Sequence, residues 1–438
     1  MKKVIVIASA ALIGGALLGG CGKENASVGA TKDAKEEITQ EAIELTVYNQ
    51  YVQNITDDEF ELLIAKPVKA KYPNITMKLV RSSTAGKLED LVAAGTLPDM
   101  VFTEDGGINN YEMLKIVDDL KPLAQSRGLD IGKFDPGAIQ NLTSQTTAGQ
   151  LFAIPFSLIT PVLFYNKDIF DKFGAPYPKD NMLWEEAIDL ARKVTRQDGG
   201  IQYKGLHPQN MQNVSSALAL PFVDAGGKAQ LVTDGWKRGM EVYSTIMQIE
   251  GNKWPADVSD VAAFTVQRDT AMLANYNARI GELDRLQKEG NGINWDMASM
   301  PTFKEAPGKN WPVIQHVLMI SSTSKHKTEA FRVIELLTDA ENQTRVAKRG
   351  RVPSLKDPKV KESFGTDLAT LKGKNTNVIL NVNPANKRAF SPYNKYVSAE
   401  IAKVVPLVVN NKLDINSALR QAQDASDLAI KDAKSRGE

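Results

Sequence analysis

The sequence predicts an α/β protein of more than one domain, on three observations. The chain has 438 residues, too many for one hydrophobic core, because single cores stop growing at about 250–300 residues. Its opening globular stretch alternates strand and helix patterns, as a parallel sheet with crossover helices requires. Residues 149–170, GQLFAIPFSLITPVLFYNKDIF, place two apolar strand-like runs on either side of Pro155 with no helix between them. That arrangement suits a segment leaving one domain and entering another. The 42% hydrophobic and 24% charged fractions are those of a globular protein. A net charge of +1 gives no electrostatic reason for a nucleic-acid partner.

The N-terminus reads separately. Met1-Lys2-Lys3 is a basic start, residues 4–18 form an apolar run, and Leu18-Gly19-Gly20-Cys21 follows. The run is shorter than the ~20 apolar residues a spanning helix needs, so residues 1–20 are expected to be a cleaved leader. Cys21 is the sole cysteine, so no disulfide can form within the chain. Leu-Gly-Gly-Cys resembles the bacterial lipobox, which implies a lipidated Cys21 as the mature N-terminus, anchored to the cell membrane on its outer side. A plain secretory leader with an incidental cysteine is the alternative. Residues 21–40 are small and polar and read as a flexible tether.

The globular part opens with Ile43, Leu45 and Val47 alternating in a strand, followed by a polar loop over residues 49–54. Thr56 with Asp57, Asp58 and Glu59 starts a helix, the acids lying at the positive end of its dipole. Phe60, Leu63, Ile64 and Val68 form its buried face, and Pro67 is expected to kink or end it. Ile75, Met77 and Leu79 make a second strand. A helix with Leu88, Leu91 and Val92 precedes the third strand, Met100-Val101-Phe102. Ligands of such sheets sit beyond the carboxyl ends of the strands, which singles out Gln50, Tyr51, Thr103, Glu104 and Asp105.

Beyond the crossing, Trp184, Ala187, Ile188, Ala191 and Val194 share one helical face, so Trp184 reads as core. Residues 206–227 carry an apolar helix pattern, within which Asn213 is a candidate polar ligand contact. Helices are predicted over 233–250, 329–338, 399–409 and 415–430, and a strand over 313–320. Tyr51, Trp254, Tyr276, Trp295, Trp311 and Tyr393 fall in predicted loops, where aromatic rings could stack on a ligand.

Several of these segments, in this order, resemble the extracellular solute-binding proteins of ABC importers, in particular the maltose-binding-protein-like family. They are the Ala94-Gly95-Thr96-Leu97-Pro98-Asp99 turn, the crossing that ends in Tyr165-Asn166-Lys167-Asp168, Leu183-Trp184-Glu185-Glu186-Ala187, FTVQRDTAMLA at 264–274, and MPTFKEAPGK at 300–309. The resemblance implies a two-lobed periplasmic-binding-protein-like fold with three hinge crossings. Residues 41–154 and 302–350 would form the N-terminal lobe, and 155–301 and 351–438 the C-terminal lobe. Pro155, Phe156, Met300 and Pro301 would shape two hinges, and residues 349–353 the third crossing. A small solute, an oligosaccharide first of all, would bind between the lobes and pass to the permease subunits of the transporter. The protein would be a monomer, touch the membrane only through its anchor, bind no nucleic acid and need no cofactor. Ser157, Tyr276, Asn277 and Tyr393 join the ligand candidates on this basis. Where the family often has Asn-Gly-x-Trp, this chain has Asn275-Tyr276-Asn277-Ala278. Tyr276 then serves in place of the tryptophan, or the ligand is another polar solute such as a peptide or polyamine.

No catalytic set emerges, and no enzyme is expected; a cell-surface glycosidase is the least favoured alternative. Glu104 and Asp105 are adjacent, whereas glycosidase carboxyls face each other across ~5–9 Å. Ser322 to Lys325 spells S-x-x-K without its companion motifs. Gly373-Lys374 fails the phosphate-loop pattern at Leu368 and Asn375. His207, His316 and His326 are scattered, so no metal site is expected.

Overall fold

The computed structural model describes residues 41–51, 54–255 and 257–437. The expected leader, Cys21 and the tether lie outside the described residues. Among the described residues, eleven strands form two sheets. β1 (Ile43–Asn49), β2 (Ile75–Arg81) and β3 (Met100–Glu104) come first, then β4 (Ile154–Ile159) and β5 (Pro161–Asn166). β6 (Arg196–Asp198), β7 (Ile201–His207), β8 (Thr270–Tyr276) and β9 (Trp295–Ala298) follow, then β10 (Ile314–Ile320) and β11 (Val352–Pro353). The first sheet runs β11-β4-β10-β3-β1-β2 and the second β6-β7-β8-β5-β9.

The first three strands pair in parallel, β1 between β2 and β3, and connect through helices as the alternation predicts. Thr56 caps the first helix in a capping box with Glu59. Pro67 does not end that helix. A π turn over Glu61–Ala65 precedes it and leaves the proline at the start of Lys66–Lys71, where its missing N–H has no partner to lose. β10, more than 200 residues later in the chain, enters antiparallel between β3 and β4.

The crossings lie further along the chain than the sequence suggests. Pro155 and Phe156 sit inside β4, which stays in the first sheet to Ile159, so the change of sheet falls at Thr160. A proline is tolerated in this interior strand because the pairing with β10 shifts register between His316 and Val317, beside it. Met300 packs with Phe303 and Trp311 in the second core, and Thr302 bridges to Leu183. The return to the first sheet therefore comes after Trp311, not at Met300 and Pro301. β11 still belongs to the first sheet, and Leu355 and Val360 to its core, so the third passage falls after Val360 rather than at residues 349–353.

Around the second sheet, Gly205 lets the helix Trp184–Val194 sit directly on β7, because a Cβ there would lie 2.3 Å from the Ala191 carbonyl oxygen. Trp184 is fully buried, as its helical stripe predicts. The apolar pattern over 206–227 yields only a short helix, Met211–Ser216. The closing helices Asn394–Val409 and Ile415–Ser435 pack on this second core. A third cluster, with Leu158 and Val352 from the first sheet and Phe164, Leu273 and Trp295 from the second, fills the junction between them.

Candidate functional site

Strand register shows where the two sheets open toward each other. Ile159 of β4 lies opposite Ile314, and two residues later Pro161 of β5 lies opposite Tyr276. The carboxyl end of β3, where Glu104 faces His316, is thus on one side of the junction and the carboxyl end of β8 on the other.

On the first side, Gln50 Oε1 accepts hydrogen bonds from Thr103 Oγ1 at 2.8 Å and the Tyr111 hydroxyl at 3.0 Å. Asp105 follows β3 and is wholly buried. Its Oδ2 pairs with the Lys387 ammonium and accepts from Gln315 Nε2 at 3.2 Å. Gln315 also donates to the Ala138 carbonyl at 3.0 Å, which fixes its amide. Asp105 Oδ1 is buried without a partner. An unfilled acceptor on a buried carboxylate is costly, and a donor such as a hydroxyl group would relieve it. Burial, reinforced by Asp105, pushes the Glu104 carboxyl above its usual range, while Lys387 and Arg279 pull the other way.

Next to these groups, Ser157 and His316 form a buried polar layer. Ser157 Oγ lies 3.1 Å from His316 Nδ1 and Arg351 Nη1 lies 3.2 Å from the same nitrogen. An arginine can only donate, so Nδ1 is the acceptor and the ring proton belongs on Nε2. Burial first and then the Arg351 charge hold His316 well below the usual imidazole range. Arg351 in turn is forked onto Glu59 at 3.0 and 2.8 Å.

On the second side, Tyr276 is half-buried, its ring 5.8 Å from that of Trp311 and its hydroxyl 3.4 Å from the Pro312 carbonyl oxygen. Burial, then Asp105 and Glu104, raise its phenol pKa. Asp260 Oδ2 accepts from Asn275 Nδ2 at 2.8 Å and Gln209 Nε2 at 2.9 Å, and Gln209 Oε1 accepts from Asn213 Nδ2 at 3.0 Å. Arg279 Nε donates to Asn275 Oδ1 at 3.4 Å.

Of the residues singled out in the sequence, Gln50, Thr103, Glu104 and Asp105 stand together on one side, and Tyr276 with the Asn213 chain stands on the other. Tyr51 is 43% exposed. Asn277 is engaged at the crossing itself, its Oδ1 accepting from the Thr160 N–H at 2.8 Å and its own N–H donating back at 2.9 Å. Tyr393 stands apart. Its ring lies against Gly227 and 5.1 Å from the Lys434 ammonium on the last helix. Trp295 and Trp311, expected in loops, are fully buried core residues. Sequence reasoning missed Gln209, Asp260, Arg279, Gln315 and Lys387. A glutamine and histidine inside the apolar run 313–320 were a visible signal for Gln315. Lys387 lies in an irregular stretch that gives none. Among the described residues no group of three or more His, Cys, Asp or Glu side chains could hold a metal.

Comparison with known proteins places this geometry. The family of bacterial extracellular solute-binding proteins matches residues 46–344. The chain belongs to that family. A probable ABC transporter-binding protein of Deinococcus radiodurans is 25% identical over 264 residues, 54% of this chain and 55% of that one. The putative ABC transporter periplasmic-binding protein YcjN of Escherichia coli is 23% identical over 350 residues, 76% of this chain and 73% of its own. For the Deinococcus relative and similar putative binding proteins of Brucella, the solute-binding protein matches only about half of their length. Among solved structures, an ABC substrate-binding protein from Listeria monocytogenes in complex with cycloalternan superposes with a TM-score of 0.71 at 16% identity, over 89% of this chain and 99% of that one. The sugar-binding protein MalE from Xanthomonas citri gives 0.68 at 19% identity over 90% and 100%. At these identities the likeness establishes the two-lobed fold of this solute-binding protein. No helix among its described residues is long and apolar enough to cross a membrane.

Proposed function

We propose that this protein captures a neutral carbohydrate, an oligosaccharide, between two lobes and hands it to an ABC importer. The first lobe would consist of residues 42–159 and 313–360, and the second of residues 160–312 and 361–437. The observation that carries the reading is Asp105 Oδ1, a buried acceptor without a partner beside a junction rich in amides and hydroxyls. Of the three carboxylates there, Asp105 is paired with Lys387, Glu104 lies near Lys387 and Arg279, and Asp260 is held by the amides of Asn275 and Gln209. Such a junction suits hydroxyl groups laid against Tyr276, with Asp105 Oδ1 as an acceptor. The sugars named with the similar solved structures support the same class.

Binding would act through a population shift: the ligand favours the closed form by its differential affinity for it. The protein would work as a monomer and catalyse nothing, tethered outside the cell by a lipid on Cys21. Thermal-shift measurements with a panel of oligosaccharides, spermidine and short peptides test the ligand class. A ligand at a hundred times its Kd stabilises the native state by about 2.7 kcal/mol. Stabilisation by oligosaccharides is expected, and stabilisation only by spermidine or peptides would refute the neutral-sugar reading.

A further inference from the structure

The ion pair between Asp105 and Lys387 joins two parts of the molecule that belong to different cores. Asp105 sits on the turn after β3 of the first sheet. Residues 383–388, which carry Lys387, are pinned to the other side at two places. Backbone bonds of 2.9 Å tie Asn310 N–H to the Asn383 carbonyl and Ala385 N–H to the Asn310 carbonyl. One residue beyond Lys387, the Arg388 guanidinium lies 3.7 Å from the centroid of Phe222 and 5.2 Å from that of Trp236, rings that are themselves stacked. Its Nε donates to the Leu220 carbonyl at 2.6 Å. A cation held over two aromatic faces and hydrogen-bonded is a firm anchor, so the lysine is presented from a fixed point.

We propose that Lys387 and Asp105 form a clasp that draws the two lobes together without a ligand, and that Lys387 is therefore a closure residue. Three features argue for it. The Asp105 side chain is fully buried and that of Lys387 only 15% exposed, so salt screens the pair weakly and breaking it by removing one partner strands a buried charge. Gln315 holds the same Oδ2 and fixes the carboxylate in position to meet the lysine. The other oxygen, Oδ1, is left free, so a bound hydroxyl and the clasp can coexist on one carboxylate. Closure then does not have to be driven by the ligand alone, and losing the clasp raises the apparent Kd of any ligand by the ratio of the closed fraction before the loss to that after it.

The proposal rests on the capture-and-closure reading, but its test uses no ligand, so the two can fail separately. Small-angle scattering of the ligand-free full chain is compared for the parent, Lys387→Met, Lys387→Gln, Asp105→Asn and the Lys387→Met/Asp105→Asn pair, with circular dichroism confirming that each is folded. Both lysine variants and Asp105→Asn are expected to show a larger radius of gyration than the parent, and the double variant no more than either single. Raising the salt concentration leaves the parent's radius unchanged. A radius in folded Lys387→Met and Lys387→Gln equal to the parent's overturns the clasp, and so does an expansion in the double variant that is the sum of the two singles.

Discussion

Glu59 offers a quantitative test of how the first lobe is held together. Burial pushes its carboxyl up, but the Arg351 fork and the Thr56 N–H at 3.1 Å outweigh that and bring it from the ordinary 4.5 down to about 2. The gap corresponds to about 3 kcal/mol of stability at neutral pH. Because the folded pKa is depressed, this contribution is complete above about pH 4.5 and drains away as the pH falls towards about 2. The perturbation is Glu59→Gln, which keeps the shape and removes the charge facing Arg351, a side chain only 13% exposed. Urea unfolding followed by far-UV circular dichroism at pH 7 and stepwise down to pH 2 is the assay. Dichroism is needed because all five tryptophans pack on the second sheet or its helices. The variant should be about 3 kcal/mol less stable at pH 7, with the difference closing between pH 4.5 and 2. A difference below about 1 kcal/mol, or one that does not change with pH, would refute the reasoning.

Three further predictions concern the junction and the N-terminus. Tyr276→Ala is expected to weaken binding of the best sugar at least about tenfold, or ~1.4 kcal/mol by titration calorimetry; an unchanged Kd removes Tyr276 from the site. Asn277→Ala leaves the buried Thr160 N–H without its side-chain acceptor and should cost about 1–3 kcal/mol in chemical unfolding; a neutral result means that Thr160 finds another partner. Cys21→Ala should move the protein from the membrane fraction to the soluble extracytoplasmic fraction, and an unchanged membrane fraction would argue against lipidation as the anchor.

Much of the architecture was legible because it rests on local patterns. The alternation of Ile43, Leu45 and Val47 is β1, and the Trp184 stripe is a buried helix face. What could not be read was set by long-range pairing. Pro155 marks a break in a single sequence, yet a register shift in a strand about 160 residues away absorbs it. The points at which the chain changes sheets lie elsewhere than the sequence suggests for the same reason, since they depend on which strand accepts it. At the site, the strand-end rule found Gln50, Thr103, Glu104 and Asp105. Their partners come from other parts of the chain: Gln315 is signalled only as a polar residue inside an apolar run, and Lys387 lies in an irregular stretch where no motif announces it.

The position of β10 governs how the protein can assemble. It is an interior strand of the first sheet, joining β1–β3 to β4, yet it is translated only after every strand of the second sheet. Until residues 314–320 are available, the first sheet consists of the β1–β3 trio and an unpaired β4, because β11 is made later still. The second sheet, contiguous from β5 to β9, has no such gap. Its central strand β5 still pairs with β8 and β9 across more than 100 residues, and β10 closes loops of more than 150 residues on both sides. On a growing chain the second sheet can therefore pair completely before the first, which closes only when β10 and β11 arrive.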